Sequence, residues 1–278
     1  MRIIKTCPYD PVIRINAFYT AFEATREVGF FFEGESHDSW ECVFVLDGHA
    51  GITAGETVYM LRPGQVILHP PCEFHKIWNE GDVDLRIIII SFVADAFPLT
   101  EHGLFSFPST EHLRRILADL QSVFALKGTQ ISKVREDVSP ADVQFAVNGL
   151  EHYLINLLHS GKELLLPKYD KRASLYTLAV EHMREKISKR VSVGEIADSV
   201  GVSVSTLQKL FKRFTGMGVA KFYENMIMER AGALIKEGKL VKETSIELGY
   251  EDQNYFSTAF KRHFGISPTK YEKSYISH

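Results

Sequence analysis

Gly201-Val202-Ser203-Val204-Ser205-Thr206-Leu207-Gln208-Lys209-Leu210-Phe211-Lys212-Arg213-Phe214-Thr215-Gly216 returns, at an offset of 48 to 49 residues, as Gly249-Tyr250-Glu251-Asp252-Gln253-Asn254-Tyr255-Phe256-Ser257-Thr258-Ala259-Phe260-Lys261-Arg262-His263-Phe264-Gly265. The two stretches are copies of one unit. A short run precedes each, Ile196-Ala197 in the first and Thr244-Ser245 in the second, and each glycine follows an apolar residue, Val200 or Leu248. Leu207, Leu210 and Phe211 fall on one helical face of the first copy, and Phe256 and Phe260 take the matching places in the second. The exits agree too, Met217-Gly218-Val219-Ala220-Lys221-Phe222 against Ile266-Ser267-Pro268-Thr269-Lys270-Tyr271. An amphipathic helix, a glycine where the chain must turn left-handed or tightly, and a polar-capped second helix are the parts of a helix-turn-helix. One such pattern is common among helical hairpins, whereas two at matched spacing point to a paired DNA-reading module.

The exposed face of each second helix carries the chemistry that a major groove requires. In the first copy it presents Ser205, Thr206, Gln208, Lys209, Lys212 and Arg213; in the second, Gln253, Asn254, Ser257, Thr258, Lys261 and Arg262. Hydroxyls and amides can read base edges, and the Lys-Arg pairs are placed to neutralise phosphates. Charge supports the assignment once it is divided along the chain. The net charge is −3, but residues 1–170 hold 14 Lys and Arg against 23 Asp and Glu, while residues 171–278 hold 18 against 12. Only the second part suits a polyanion.

From about Leu178 to Tyr271 the sequence closely resembles the AraC/XylS family of transcriptional regulators, most visibly in Gly249–Tyr271. The resemblance implies that a long helix, here Val219–Lys236, spaces two reading helices about one DNA turn (~34 Å) apart on double-stranded DNA. It also implies that Ser205, Gln208 and Lys209 in the first unit and Gln253, Asn254, Ser257 and Thr258 in the second are the base readers. Thr258 stands where many relatives carry arginine, and Thr244-Ser245 replace a usual Ile-Ala pair. The first unit is therefore expected to supply more of the discrimination.

Upstream, from about Gly29 to Phe92, β-rich runs at Glu41–Leu46, Thr57–Leu61, Gln65–Leu68 and Leu85–Phe92 are separated by turn signals such as Asp47-Gly48 and Pro63-Gly64, which suggests a barrel or sandwich. Helical periodicity begins after Ser109 or Thr110 and runs through Leu126, and Pro140 opens a second helix from Ala141 to Leu158. The second helix is apolar over more than one face. It is either a dimer seam through Leu150 and Leu154 or a helix sandwiched within its own domain.

The series Gly29, Glu35, His37, Glu41, Gly48, then Gly64, Pro70, Cys72, His75, Asn79 resembles the two-part cupin motif, with Glu35 where a first histidine is usual and Cys72 where a glycine is usual. Cupin enzymes hold a metal with such residues, and the matching set here is Glu35, His37, Glu41 and His75, oxygen-rich and suited to Mn, Fe or Ni. Regulators of the family commonly keep the cupin skeleton around an organic effector instead, and no cofactor is expected. His37, Trp40, Glu41, Phe44, His75 and Trp78 then become candidate pocket residues for a small effector such as a carbohydrate; the aromatic residues among them equally suit plain packing.

The chain has 278 residues, long enough for two ordinary domains. It lacks a signal-peptide core and any membrane-length apolar run, so a cytoplasmic, nucleoid-associated protein is expected. Cys7, Cys42 and Cys72 are too few and too irregularly spaced for a disulfide framework, and reduced thiols are expected. The reading is an α+β, two-domain chain: a cupin-like sensor barrel over 1–108, a helical extension over 109–165 that dimerises or links, a linker at Leu166–Arg172, and a double helix-turn-helix over 173–278. Its expected function is transcription regulation by a homodimer, through RNA polymerase if it activates. A metal-dependent cupin enzyme with a DNA-binding tail is the competing reading.

Overall fold

The computed structural model describes residues 10–160, 164 and 171–276. Cys7 and all of the expected linker except Lys171 and Arg172 lie outside the described residues. The chain divides into two compact units, one β-rich and one helical.

The first unit holds two sheets. Strands β1 (Arg14–Arg26), β2 (Trp40–Asp47), β5 (Gln65–His69), β7 (Leu85–Ala96), β8 (Gly103–Ser106), β9 (Phe124–Lys127) and β10 (Gln130–Val134) form a seven-stranded sheet in the order β8-β5-β2-β7-β1-β10-β9. Strands β3 (Ala50–Ala54), β4 (Thr57–Leu61) and β6 (His75–Asn79) form a three-stranded sheet in the order β4-β3-β6. The central strands of the large sheet are covered on both faces, which is why Ile87-Ile88-Ile89-Ile90 is continuously apolar and does not alternate. Val43, Val45, Ile67 and Ile87 pack inward with Ile52 and Ile77 of the small sheet. Cys42, Phe44, Leu68, Ile88 and Ile90 turn the other way, onto the helices.

Two helices cover that second face. Helix α1 (Thr110–Val123) starts at Ser109, whose hydroxyl accepts from the backbone N–H of His112 at 3.2 Å, and it buries Leu113, Ile116, Leu117 and Leu120. It does not continue to Leu126. Phe124 is already extended, and Phe124–Val134 forms the β9–β10 hairpin with Gly128 at φ +64°. Helix α2 (Pro140–Ser160) is opened by Ser139, which exchanges hydrogen bonds with Asp142, and Pro140 occupies the first turn, where a missing N–H costs nothing. Leu150 and Leu154 are fully buried within the unit, beside Tyr153 and Leu157. Of the two readings of this helix, packing within its own domain describes these two leucines; Phe145, at 73% exposure, and Ile155 lie on the outer face.

The second unit is helical. Helix α3 (Lys171–Glu185) puts Tyr176 between Phe211, Phe214 and Phe222, with ring centroids 5.1 to 6.1 Å away. It is followed by α4 (Val193–Ser199), α5 (Val204–Thr215), α6 (Val219–Lys236), α7 (Val241–Glu247), α8 (Gln253–Phe264) and α9 (Pro268–Ile276). Among the described residues no helix is long and apolar enough to cross a membrane.

This packing separates the two faces of α2 experimentally. Leu150→Ala should lower the stability of the β-rich unit by about 3 kcal/mol, whereas Phe145→Ala should change it by under about 0.5 kcal/mol, as read from urea-unfolding midpoints of the full chain.

Candidate DNA-reading face and barrel cavity

The two helical copies are built by the same local interactions. In the first, Gly201 takes φ +68° and Val202 N donates to Ala197 O at 3.1 Å; in the second, Gly249 takes φ +72° and Tyr250 N donates to Ser245 O at 2.9 Å. Ser203 and Asp252 cap α5 and α8 by accepting from the backbone N–H of Thr206 and Asn254. Both helices end at a left-handed glycine, Gly216 at +73° and Gly265 at +76°. Backbone geometry is therefore duplicated while the outward side chains are free to differ.

On α5, Ser205, Thr206, Lys209 and Lys212 are exposed and Gln208 and Arg213 half-buried. Gln208 Oε1 accepts from Val219 N at 3.4 Å, and Lys212 Nζ donates to Gly216 O at 2.6 Å, so both side chains also help close the helix ends. On α8, Gln253, Asn254, Thr258, Lys261 and Arg262 are exposed and Ser257 half-buried; Thr258 Oγ1 donates to Asn254 O at 2.9 Å. The two substitutions in α7 are inside the unit. Thr244 and Ser245 are fully buried where Ile196 and Ala197 are buried in the first copy. Ser245 Oγ donates to Lys242 O, but Thr244 Oγ1 has no hydrogen-bond partner among the described residues.

The β-rich unit encloses a cavity of about 420 Å³ between its sheets. Register places His69, Glu41, Ser91, Thr20 and Gln130 side by side on β5, β2, β7, β1 and β10, a polar rung across five strands that all face the cavity. Ser91 Oγ donates to Glu41 Oε2 at 2.7 Å and meets Thr20 Oγ1 at 2.7 Å. His75 Nε2 lies 3.4 Å from Glu41 Oε1, and His37 Nε2 lies 3.5 Å from Glu41 Oε2. Apolar walls flank the rung, among them Phe22, Phe30, Phe32 and Ile89.

Burial alone would push the Glu41 carboxyl up. The hydrogen bonds of His37 and His75, the charge of His75 and the Ser91 hydroxyl overcome it and hold the carboxylate well below its usual range. Burial pulls His75 down, and Glu41 reverses that and raises it. At the end of the rung, His69 Nδ1 lies 2.7 Å from one oxygen of Glu73, and His102 Nδ1 lies 2.6 Å from the other. Burial raises the Cys42 thiol, so this cysteine is inert packing.

Of the six expected pocket residues, His37, Glu41 and His75 line the cavity and the other three do not. Trp40 and Phe44 stand one and three positions from Glu41, hence on the opposite face of β2; Trp40 packs on Phe97 and Phe44 on Phe107 and Tyr153. Trp78 covers Gly51 of the neighbouring strand, and its indole N–H donates to Glu80. Sequence reasoning missed Thr20, Ser39, His69 and Ser91. Ser91 carried a signal, being the one polar residue in the run Ile87–Val93.

In cupin enzymes the motif holds a metal, and the four matching residues lie close enough together to hold one. Ligand atoms of Glu35, His37, Glu41 and His75 lie within 4.8 Å of one another. His37 Nδ1 is engaged by Ser39 Oγ at 2.8 Å and His75 Nδ1 by Glu73 O at 3.0 Å, leaving both Nε2 atoms turned toward the carboxylates. Among the described residues His75 Nε2 has no hydrogen bond of good geometry, its nearest oxygen being Glu41 Oε1 at 3.4 Å. The Cys72 departure also has a structural consequence, because Cys72 sits at φ +66°, a conformation glycine takes without steric cost.

A β-barrel with a polar, ligand-sized cavity and a duplicated helix-turn-helix define a DNA-binding regulator with a ligand-binding domain. Residues 196–274 match the helix-turn-helix domain family and residues 23–91 the cupin domain family. The lactose operon transcription activator of Staphylococcus xylosus is 32% identical over 226 residues, covering 79% of this chain and 75% of that protein. The arabinose operon regulatory protein of Escherichia coli K12 is 25% identical over 219 residues, covering 77% and 73%. A solved regulator from Chromobacterium violaceum of the AraC-type DNA-binding class is 29% identical, covers 37% of this chain and 93% of that one, and superposes with a TM-score of 0.36. The chain belongs to the AraC/XylS family of transcriptional regulators.

The orphan hydroxyl in α7 gives a stability test. Thr244→Val removes a buried, unsatisfied group at nearly constant shape and should stabilise the helical unit by about 1 kcal/mol in thermal unfolding.

Proposed function

We propose that α5 and α8 enter two successive major-groove segments of one operator, with Ser205, Thr206, Gln208, Lys209, Gln253, Asn254, Ser257 and Thr258 toward base edges and Lys212, Arg213, Lys261 and Arg262 toward phosphates. Occupancy of the barrel by a small effector alters operator binding, which requires different effector affinities in the two states. The effector is a polyhydroxylated molecule of carbohydrate type. The observation that carries this is the polar rung: hydroxyls, imidazoles and a carboxylate accept and donate along one line, and Phe22, Phe30 and Phe32 offer apolar faces to the carbon side of a sugar ring. That two relatives are named for the lactose and arabinose operons supports the same class.

The protein acts as a cytoplasmic, nucleoid-associated homodimer without enzymatic activity, through RNA polymerase where it activates. The outer face of α2 around Phe145 and Ile155 serves as its seam in place of Leu150 and Leu154. The residue boundaries 1–108, 109–165 and 173–278 mark its sensor, extension and DNA-binding parts. A second reading is favoured by the convergence of four ligand atoms within 4.8 Å of one another: Glu35, His37, Glu41 and His75 hold a divalent cation, and the effector or the cation itself is the signal.

Two experiments test these readings. Selection of duplexes from a random DNA pool should yield a motif with two elements about one turn apart. Gln208→Ala should relax preference at one base position, whereas Lys261→Ala should weaken all sequences alike and reduce the salt slope by about 1; equal behaviour of the two variants would show the reading face to be misplaced. In thermal unfolding against a panel of mono- and disaccharides, a bound sugar at 100 times its Kd should stabilise the protein by about 2.7 kcal/mol. His37→Ala should remove that stabilisation and Trp40→Phe should keep it. Stabilisation by Mn, Fe or Ni salts alone, with metal retained after dialysis and lost in His75→Ala, would replace the carbohydrate reading by the cation.

A further inference from the structure

The two helix-turn-helix units touch each other directly, besides being joined through α6. Arg190, in the turn after α3, belongs to the first unit and sits at φ +52°, which side-chain-bearing residues rarely adopt. Its guanidinium lies 4.0 Å from the ring centroid of Tyr250 and 5.9 Å from that of Tyr255, both in the second unit. The same guanidinium reaches Glu224 Oε2 on α6 at 3.2 Å, and the Tyr250 hydroxyl donates to the other oxygen of Glu224 at 3.1 Å. One arginine therefore ties the first unit, the connecting helix and the second unit together.

An independent contact lies beside it. A Cβ built on Gly249 would fall 2.5 Å from Ser188 O and 3.3 Å from Arg190 Cγ. Gly249 thus serves two ends, its left-handed turn and the close approach of the second unit to the backbone of the first. On the other side of the turn, the Tyr223 hydroxyl of α6 donates to Lys186 O at 3.1 Å. A backbone outlier persists where its surroundings over-determine it, and here ion pair, ring stacking and backbone contact all converge on Arg190.

We propose that Arg190 is a positioning residue for operator recognition: the Arg190–Glu224–Tyr250 clamp fixes the angle between α5 and α8 and so sets the spacing at which the two halves of an operator are read. Arg190 touches no base and acts through the orientation of the units. The proposal rests on the reading that α5 and α8 enter the groove. A rigid pair binds one spacing with both halves already oriented, whereas a loosened pair loses affinity at that spacing and tolerates its neighbours.

The test uses the full chain and the duplex it selects from a random pool, rebuilt with the distance between the two elements changed one base pair at a time, together with duplexes carrying one element only. Wild type should show a sharp optimum. Arg190→Gly, which removes the clamp while relieving the left-handed conformation, should lose about tenfold at the optimum, a change of about 1.4 kcal/mol. It should flatten the spacing profile and leave single-element affinity within about twofold. Tyr250→Phe, which keeps the ring and loses only the hydroxyl, should fall between, and it serves if the glycine variant does not fold. A spacing profile unchanged in both variants would overturn the proposal, as would a uniform loss on every duplex including the single elements. Failure of wild type to select a two-element motif would instead overturn the groove reading, and the clamp's role with it.

Discussion

An ionised carboxylate in the middle of the barrel is the constraint around which the sensor unit is organised. Glu41 is 6% exposed, and a charge taken that far from water costs several kcal/mol unless it is paired and hydrogen-bonded. Ser91, His75 and His37 meet that need: strand register sets Ser91 beside Glu41, β6 carries His75, and His37 follows two residues after the Glu35–His75 bridge. A slip of β7 by one residue would replace Ser91 with an isoleucine or a phenylalanine and strand the charge. The same polar groups explain why a cavity remains at that level of the barrel, whereas Val45, Leu61, Ile67, Leu85 and Leu104 close the core elsewhere.

The division of strand faces decides what each side chain can do, and it accounts for what could be read without coordinates. Cupin-like spacing led to Glu35, His37, Glu41 and His75, which the fold brings together, because those positions are fixed by the motif. The aromatic neighbours were drawn in by proximity along the chain, and proximity fails on a strand: Trp40 and Phe44 carry the opposite parity to Glu41 and belong to the layer under α1 and α2. Thr20, by contrast, lies on β1, whose sequence RINAFYTAFEATR mixes helix and strand formers, and its place in the rung follows only from long-range pairing with β7.

The helical unit was more readily legible because its information is local. Glycines at left-handed turns, hydroxyl or carboxylate caps and an apolar face recur in both copies, and each feature acts within a few residues. Expectations failed where a tertiary surface overrode the local pattern. Phe124-Ala125-Leu126 continues the apolar periodicity of α1, yet the chain leaves the helix at Phe124 because the hairpin that follows joins the large sheet through Thr20 and Gln130. Leu150 and Leu154 looked surplus to one barrel, but the face of β2 and β7 opposite the cavity needed covering as well.

The two copies also differ in how they hold together. In the first, Ile196 and Ala197 seal the packing of α4 with apolar surface. In the second, Thr244 contributes a shorter side chain and a buried hydroxyl without a partner among the described residues, a loss of about 1–3 kcal/mol relative to a satisfied site. The second unit offsets this with rings: Phe256, Phe260, Phe264 and Tyr271 contact one another with centroids 4.5 to 5.8 Å apart. Those contacts stabilise the second unit internally and leave its angle to the first undetermined. Helix α6 alone would allow the angle to vary through bending and end fraying. The contacts of Ser188 and Arg190 with Gly249 and Tyr250 remove that freedom, and they do so next to the less well-sealed helix, where orientation would otherwise be softest.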